Sequence, residues 1–294
     1  LHRVDRRQRQ MCIRDSFVPV PFWAIDVTLD GNGTPFTAQW RAPQDDCDEQ
    51  GRCLKHAVAQ RAAEAMQGAE HAVLKKLKTE RMREAPPLLF DLGTLQQVCS
   101  KKLGLGAQET LDIAQKLYET DKLITYPRSD CGYLPLSQHA EAPAILAALG
   151  HADPALREVL AHTQAGRRSR AWNDAKVSAH HGIIPTLAAA GLARLSGRPR
   201  AVYELIRARY LAQFLPNHEY DRTQADFDCA GHDLRAVGKQ IVDPGWKRAL
   251  PEALAPARGR EMPAPQPLPA LREGQQYAVR EVALKDQFTL SLIH

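Results

Sequence analysis

Leu117-Tyr-Glu-Thr-Asp-Lys-Leu-Ile-Thr-Tyr-Pro-Arg-Ser-Asp130 is the stretch at which the chain changes character. Upstream, Ala107, Leu111, Ala114 and Tyr118 recur at helical spacing. Downstream, Leu123-Ile-Thr-Tyr126 is short, apolar and β-branched. Pro127 then pushes Tyr126 toward extended backbone, because the proline ring crowds the helical conformation of the residue before it. The reading is a helix feeding a short extended segment, with a tyrosine projecting from its end. In extended geometry Arg128, two residues on, points to the same side.

Moving outward, the neighbourhood of this stretch is helical. A helix over Thr94–Leu103 stops at Gly104, and another is expected from Pro143 to Leu149. The basic loop Arg167-Arg168-Ser169-Arg170 follows. Further out, both flanks turn to β patterns. Trp23, Ile25, Val27 and Leu29 alternate, Gly31-Asn-Gly33 supplies a turn, and Phe36, Ala38 and Trp40 resume the alternation. Leu54 to Met66 reads as an amphipathic helix ending near Gly68, and Val73–Met82 as a strand leading outward. On the other side, Val202, Leu205, Ile206, Tyr210 and Phe214 share a helical face behind Pro199. Thr223–Cys229 and Leu234–Val242 then flank Ala230-Gly-His-Asp233 as a second hairpin. A Pro-rich connection from Pro251 to Pro269 precedes a last strand at Tyr277–Leu284. Strands, then helices, then strands make the fold class α+β: a β-rich domain interrupted by an inserted, mainly helical domain that carries Tyr126. The expected divisions are a poorly patterned leader at 1–16, a first β-rich part at 17–85, the helical insert at 86–200, a second β-rich part at 201–285, and a tail at 286–294.

Composition narrows the classes. Of 294 residues, 44% are hydrophobic and 25% charged, which excludes a disordered or fibrous chain. No apolar run approaches a membrane span. The chain opens on Leu1 with an Arg-rich segment lacking the apolar centre of a signal peptide. The expectation is a cytoplasmic piece of a longer protein with no membrane partner. Net charge is +5, but residues 1–16 hold five Arg against two Asp, and the remaining 34 basic and 32 acidic residues nearly cancel. Bulk charge is therefore a poor argument for nucleic acid. The six cysteines, at 12, 47, 53, 99, 131 and 229, form no CxxC pair, which reads as free thiols in a reducing compartment.

Two segments carry chemistry. A phenol at Tyr126 beside the Arg128 guanidinium suits attack on a phosphodiester, since the cation grips phosphate oxygens and favours the phenolate. Spacing alone favours the plain alternative, a packed ring and a surface arginine. The second segment is Trp172-Asn-Asp-Ala-Lys-Val-Ser-Ala-His-His-Gly-Ile-Ile-Pro-Thr186. His180 and His181 are adjacent, so they point to different sides of any regular element; one acts at most, and a metal pair is disfavoured. A structural histidine is the plain alternative.

Together these segments resemble the type IA DNA topoisomerases, in their bacterial topoisomerase III branch. Leu117 through Asp130, followed by Tyr133-Leu-Pro135, is similar to that family's active-site tyrosine signature. Ser178-Ala-His-His-Gly-Ile-Ile-Pro-Thr186 is similar to its second signature, with Gly182 where the family more usually has Ala. Phe17-Val-Pro-Val-Pro-Phe-Trp23, Gly51-Arg-Cys-Leu54, Pro86-Pro87 through Leu95-Gln96, Tyr203 through Pro216, and Gly245-Trp246 match in order, so the resemblance runs from about Phe17 to Lys285.

The resemblance implies that Tyr126 attacks single-stranded DNA, forming a 5′-phosphotyrosine and freeing a 3′-hydroxyl, so that rejoining needs no nucleotide cofactor. It implies that Arg128 holds the scissile phosphate and that His180 touches phosphate or assists proton movement, with His181 the lesser candidate. Lys176, Arg167, Arg168 and Arg170 become candidate backbone contacts, and Trp172 a candidate base-stacking residue, each against a plain alternative of solvated loop or packed ring. The β-rich domain becomes the family's hinge, or arch, carrying a movable cleavage head for strand passage, relaxation and decatenation of DNA in the bacterial nucleoid. The family's magnesium sits in an acidic Toprim module upstream of the region matched here, so Mg2+ belongs to the full-length enzyme, and this chain alone is expected to be inactive. Asp46-Cys-Asp48-Glu-Gln-Gly51 spells a DxDxxG pattern, but polar residues precede it where that module has a buried strand, so no metal ligand is assigned. A non-catalytic helical DNA-binding module is the rival reading.

Overall fold

A computed structural model describes residues 19–251 and 266–289. The leader at 1–16, much of the Pro-rich connection and the end of the tail lie outside the described residues. Two compact units emerge. One holds described residues 19–81, 221–240 and 266–289; the other holds 82–220 and 241–251.

The first unit is a closed barrel. Strands β1 (Pro21–Gly31) and β2 (Thr34–Trp40) form the expected hairpin, followed by helix α1 (His56–Gln67) and strand β3 (His71–Glu84). Strands β4 (His218–Cys229), β5 (His232–Asp243) and β6 (Gln276–Phe288) complete it, in the spatial order β1-β2-β5-β4-β3-β6. Closure leaves no free sheet edge. The hairpin turn at Asn32 and Gly33 takes φ of 55° and 88°, the left-handed pair a two-residue turn needs, and the Asp30 carboxylate accepts the Gly33 N–H at 2.6 Å. Alternation behaves as the pattern predicts: Ile25, Val27, Leu29, Phe36, Ala38 and Trp40 are buried inward. Helix α1 covers the barrel with Ala59, Ala62, Ala63 and Met66, while Leu54, expected on its apolar stripe, lies before the helix and is 40% exposed.

The second unit is helical. Helices α2 (Leu92–Leu103), α3 (Ala107–Glu119), α4 (Ala142–Ala152), the short α5 (Arg157–Ala161) and α6 (Gly197–Ala212) surround one core. Asp91 caps α2 by accepting the Thr94 N–H at 2.7 Å, and Gly104 ends it at φ 66°. The sequence reading opens the second β-rich part at 201. That division falls inside α6, whose Val202, Tyr203, Leu205, Ile206, Tyr210 and Leu211 pack into the helical core, and strand structure resumes only at His218. An apolar stripe on a helix can be buried against either neighbour; the core it meets decides. The fold is α+β, and among the described residues no helix is long and apolar enough to cross a membrane.

Candidate active site

The quoted stretch turns back on itself by a helix-ending motif. Helix α3 finishes at Glu119, Lys122 takes φ 56°, and the Leu123 N–H reaches back to the Leu117 carbonyl at 2.8 Å. This bond spans six positions across a left-handed residue and ends the helix, with lysine where glycine is commoner. It sends Leu123–Thr125 back alongside Ile184–Thr186. Thr125 N–H donates to the Ile184 carbonyl at 2.9 Å, Ile184 N–H to Thr125 Oγ1 at 3.0 Å, and Thr186 N–H to the Leu123 carbonyl at 3.0 Å. Ile183 pairs on its other side with Phe90, and Gly182 N–H donates to the Tyr133 carbonyl at 2.8 Å. The two sequence segments that carry chemistry are thus laced together by backbone hydrogen bonds.

This lacing brings Tyr126 against His180. Their ring centroids are 4.4 Å apart at 41°, and Tyr118 of α3 meets the Tyr126 ring edge-on at 5.7 Å. Tyr126 is half-buried and His180 exposed, so a ligand can reach both. The extended continuation expected at Arg128 does not form: Pro127 and Arg128 make a turn. Arg128 instead lies exposed over α3, its Nε donating to Gln115 Oε1 at 3.4 Å. Gln115 and Tyr118 are one turn apart on the same helix, so that helix seats both Tyr126 and Arg128.

His181 faces away, as adjacency requires. Its Nδ1 lies 2.8 Å from the Gly182 carbonyl, so that nitrogen carries the proton, and its Nε2 accepts from Gln138 Nε2 at 2.8 Å. That is a structural histidine. Lys176 is exposed over the Tyr133 ring at 5.1 Å, with its Nζ 3.4 Å from the Tyr133 hydroxyl. Trp172 is 7% exposed, packed edge-on against His139 at 4.7 Å and against Phe214 at 6.0 Å. The packed-ring alternative describes it, and no face is open for a base. Arg167, Arg168 and Arg170 line a cleft of about 260 Å³ with Ala85, Pro86, Ser169 and Asn217. Among the described residues none of these three guanidinium groups has a carboxylate partner, whereas Arg52, Arg200, Arg207 and Arg248 each do.

Sequence reasoning missed Gln115 and Tyr118 as seats for the site, and missed the bond from Ser178 Oγ to Asp130 Oδ1 at 2.8 Å that ties the two segments at their exposed end. Tyr118 was legible only as part of an apolar stripe. The other large tyrosines are poor rivals to Tyr126. Tyr203 and Tyr210 are fully buried, and burial pushes the Tyr203 phenol up to about 12 and the Tyr210 phenol further still.

The matches to known proteins follow this geometry. A family model described as DNA topoisomerase matches residues 4–291. The DNA topoisomerase 3 of Vibrio cholerae is 36% identical over 83% of this chain and 38% of its own length. That of Bacillus subtilis is 36% identical over 90% of this chain and 35% of its own. The solved structure of full-length topoisomerase I from Thermotoga maritima superposes with a TM-score of 0.67 and 22% identity, covering 97% of this chain and 43% of that one, a likeness of fold. The chain belongs to the type IA DNA topoisomerase family. It spans a little over a third of the length of the curated topoisomerase relatives it matches.

Within this topoisomerase family the glycine at 182 acquires a reason. A Cβ there would sit 2.8 Å from Leu89 Cβ and 3.2 Å from Leu89 Cδ1. Leu89 is 2% exposed and has little room to move. Gly182→Ala is expected to cost about 1–3 kcal/mol by overpacking, read as a lower denaturation midpoint at unchanged slope. A neutral or stabilising result would mean that Leu89 repacks freely.

The magnesium that this topoisomerase family implies finds no fit among the described residues. They hold no group of three or more His, Cys, Asp or Glu side chains able to bind an ion. Both carboxylates of the DxDxxG pattern are engaged: Asp46 Oδ1 meets Lys55 Nζ at 2.7 Å, and Asp48 accepts from the Arg52 side chain and from two backbone N–H groups.

Proposed function

We propose that this chain supplies the nucleophile for reversible cleavage of single-stranded DNA, as part of a longer topoisomerase. The observation that carries the reading is the contact of the half-buried Tyr126 ring with the exposed His180 ring, built from two distant segments by backbone hydrogen bonds. In the proposed step the Tyr126 oxygen attacks phosphorus, the bond from phosphorus to the 3′ oxygen breaks, and that oxygen leaves with a proton. The DNA 5′ phosphate remains esterified to tyrosine, and attack by the 3′-hydroxyl reverses the step without a nucleotide cofactor. His180, whose ring meets that of Tyr126, is assigned to contact the phosphate or relay the phenolic proton. Arg128 swings from Gln115 to grip a phosphate oxygen, stabilising the charge that builds in the transition state. The Arg167–Arg170 cleft and Lys176 are assigned to DNA backbone farther along the strand. Magnesium is assigned to residues outside the described ones, in the Toprim module of the same polypeptide, and the chain alone is proposed to be inactive.

The test pairs the chain with the amino-terminal segment of a topoisomerase 3 relative, magnesium and a single-stranded oligonucleotide. A 3′-end label should become covalently attached to protein and a 5′-end label should not; the reverse labelling pattern overturns the proposed polarity. Arg128→Ala is expected to lower adduct formation about 10²–10³-fold. Oligonucleotide affinity should fall only a few-fold, since a single phosphate contact is lost. Equal losses in both would make Arg128 a tether alone.

A further inference from the structure

The barrel unit holds two thiols in a geometry that the proposed chemistry does not use. Cys47 and Cys53 face each other across an antiparallel bridge. The flanking bonds run from Asp48 N–H to the Arg52 carbonyl at 3.1 Å and from Leu54 N–H to the Asp46 carbonyl at 3.4 Å. That pattern makes Cys47 and Cys53 a non-hydrogen-bonded pair, the close type, with Cα atoms about 4.5 Å apart and side chains on one side. A disulfide spans Cα separations of about 4.4–6.8 Å, so the backbone already stands where the bond needs it.

The loop does not depend on such a bond for its shape. The Asp48 carboxylate accepts from Gln50 N–H at 2.9 Å, Arg52 N–H at 3.0 Å and Arg52 Nε at 2.7 Å, and Gly51 turns at φ 74°. The thiols make only weak contacts, Cys47 Sγ to the Ala42 carbonyl at 3.6 Å and Cys53 Sγ to the Lys55 carbonyl at 3.5 Å. Cys47 is half-exposed and Cys53 is 2% exposed, which sets the order of events. The other described cysteines, Cys99, Cys131 and Cys229, are buried, and none faces a second cysteine across a bridge.

We infer that Cys47 and Cys53 form a dithiol modification site that is closed to a disulfide by a low-molecular-weight disulfide such as oxidised glutathione. The Cys47 thiolate attacks one glutathione sulfur, and the first glutathione leaves as a thiolate. The Cys53 thiolate then attacks the Cys47 sulfur and displaces the second glutathione. Two protein thiols are oxidised, one glutathione disulfide is reduced, and the two protons pass to the leaving thiolates. The Cys53 carbonyl also accepts the Trp23 N–H at 2.9 Å, so the closed bond fastens the Gln44–Cys53 segment to β1.

The test incubates the full chain with oxidised glutathione, blocks remaining thiols by alkylation and maps tryptic peptides without reductant. Cleavage after Arg41, Arg52 and Lys55 separates residues 42–52 from 53–55. The expected result is one linked species of these two peptides, about 2 Da lighter than their sum and separated by dithiothreitol. Cys47→Ser should lose the linked species and leave Cys53 without a glutathione adduct. Wild-type chain that shows only a glutathione adduct on Cys47, or both thiols still alkylated, overturns the inference.

Discussion

Replacing Tyr126 by phenylalanine is expected to abolish covalent capture of a 3′-labelled single strand, a fall on the order of 10⁴-fold or more to the assay floor. The reason is chemical: the substitution removes one oxygen, and in the proposed step that oxygen is the attacking atom. The ring keeps its edge-on contact with Tyr118 and its packing on His180. The hydroxyl makes no hydrogen bond to any described residue, so the fold should lose less than about 0.5 kcal/mol. Denaturing gels read the adduct, and thermal melting confirms that the variant is folded. An adduct that survives would move the nucleophile elsewhere. Tyr118 and Tyr133, both half-buried, would then be the next to examine, ahead of the fully buried Tyr203 and Tyr210.

Phe214→Ala should produce the largest loss of stability in the helical unit. Phe214 is completely buried, with Tyr210 at 5.0 Å, Trp172 at 6.0 Å and His139 at 6.5 Å between ring centroids. Truncating such a ring removes its transfer free energy and leaves a void that rigid aromatic neighbours cannot fill, a cost of about 3–5 kcal/mol. In a unit of this size the melting temperature falls about 10 °C or more. The change also reaches the basic cleft. The Phe214 carbonyl accepts the Gln164 N–H at 2.9 Å, and Gln213 Oε1 accepts from Ser169 Oγ at 2.6 Å, so the end of α6 anchors the Arg167–Arg170 loop. DNA affinity should therefore weaken at temperatures where the variant is still folded. A stability loss under about 1 kcal/mol would show that this cluster is loosely packed.

How legible the molecule was depended on the range of the signal. The β1–β2 hairpin was readable because alternation and a Gly31-Asn-Gly33 turn are local features, and the structure repeats them at nearly the expected limits. Strand β6 runs on to Phe288, beyond the expected Leu284, because its ladder with β1 continues to Pro21 whatever the polarity of its own side chains. Helix α6 shows the opposite case. Its period was plain, yet the unit it joins was misplaced, since an apolar stripe does not say which core it will meet. At the site, Tyr126 and His180 were both marked. Arg128 was placed by an extended run that the Pro127–Arg128 turn replaces, and Trp172 was offered to a base although its environment is aromatic core.

From its sequence alone this protein declares its class, its order of strands and helices and its family resemblance, and through that resemblance it marks one phenol as the candidate nucleophile, because these are properties of residue type and of spacing along a few turns. Tertiary structure decided which of two neighbouring histidines meets that phenol, which helix seats the arginine, and that two thiols six positions apart stand opposite one another. Those outcomes depend on a left-handed Lys122 reversing the chain, on backbone bonds joining residues some sixty positions apart, and on the register of a seven-residue loop. Contacts made at such separations are selected by the packing of the whole unit, and no local pattern encodes them.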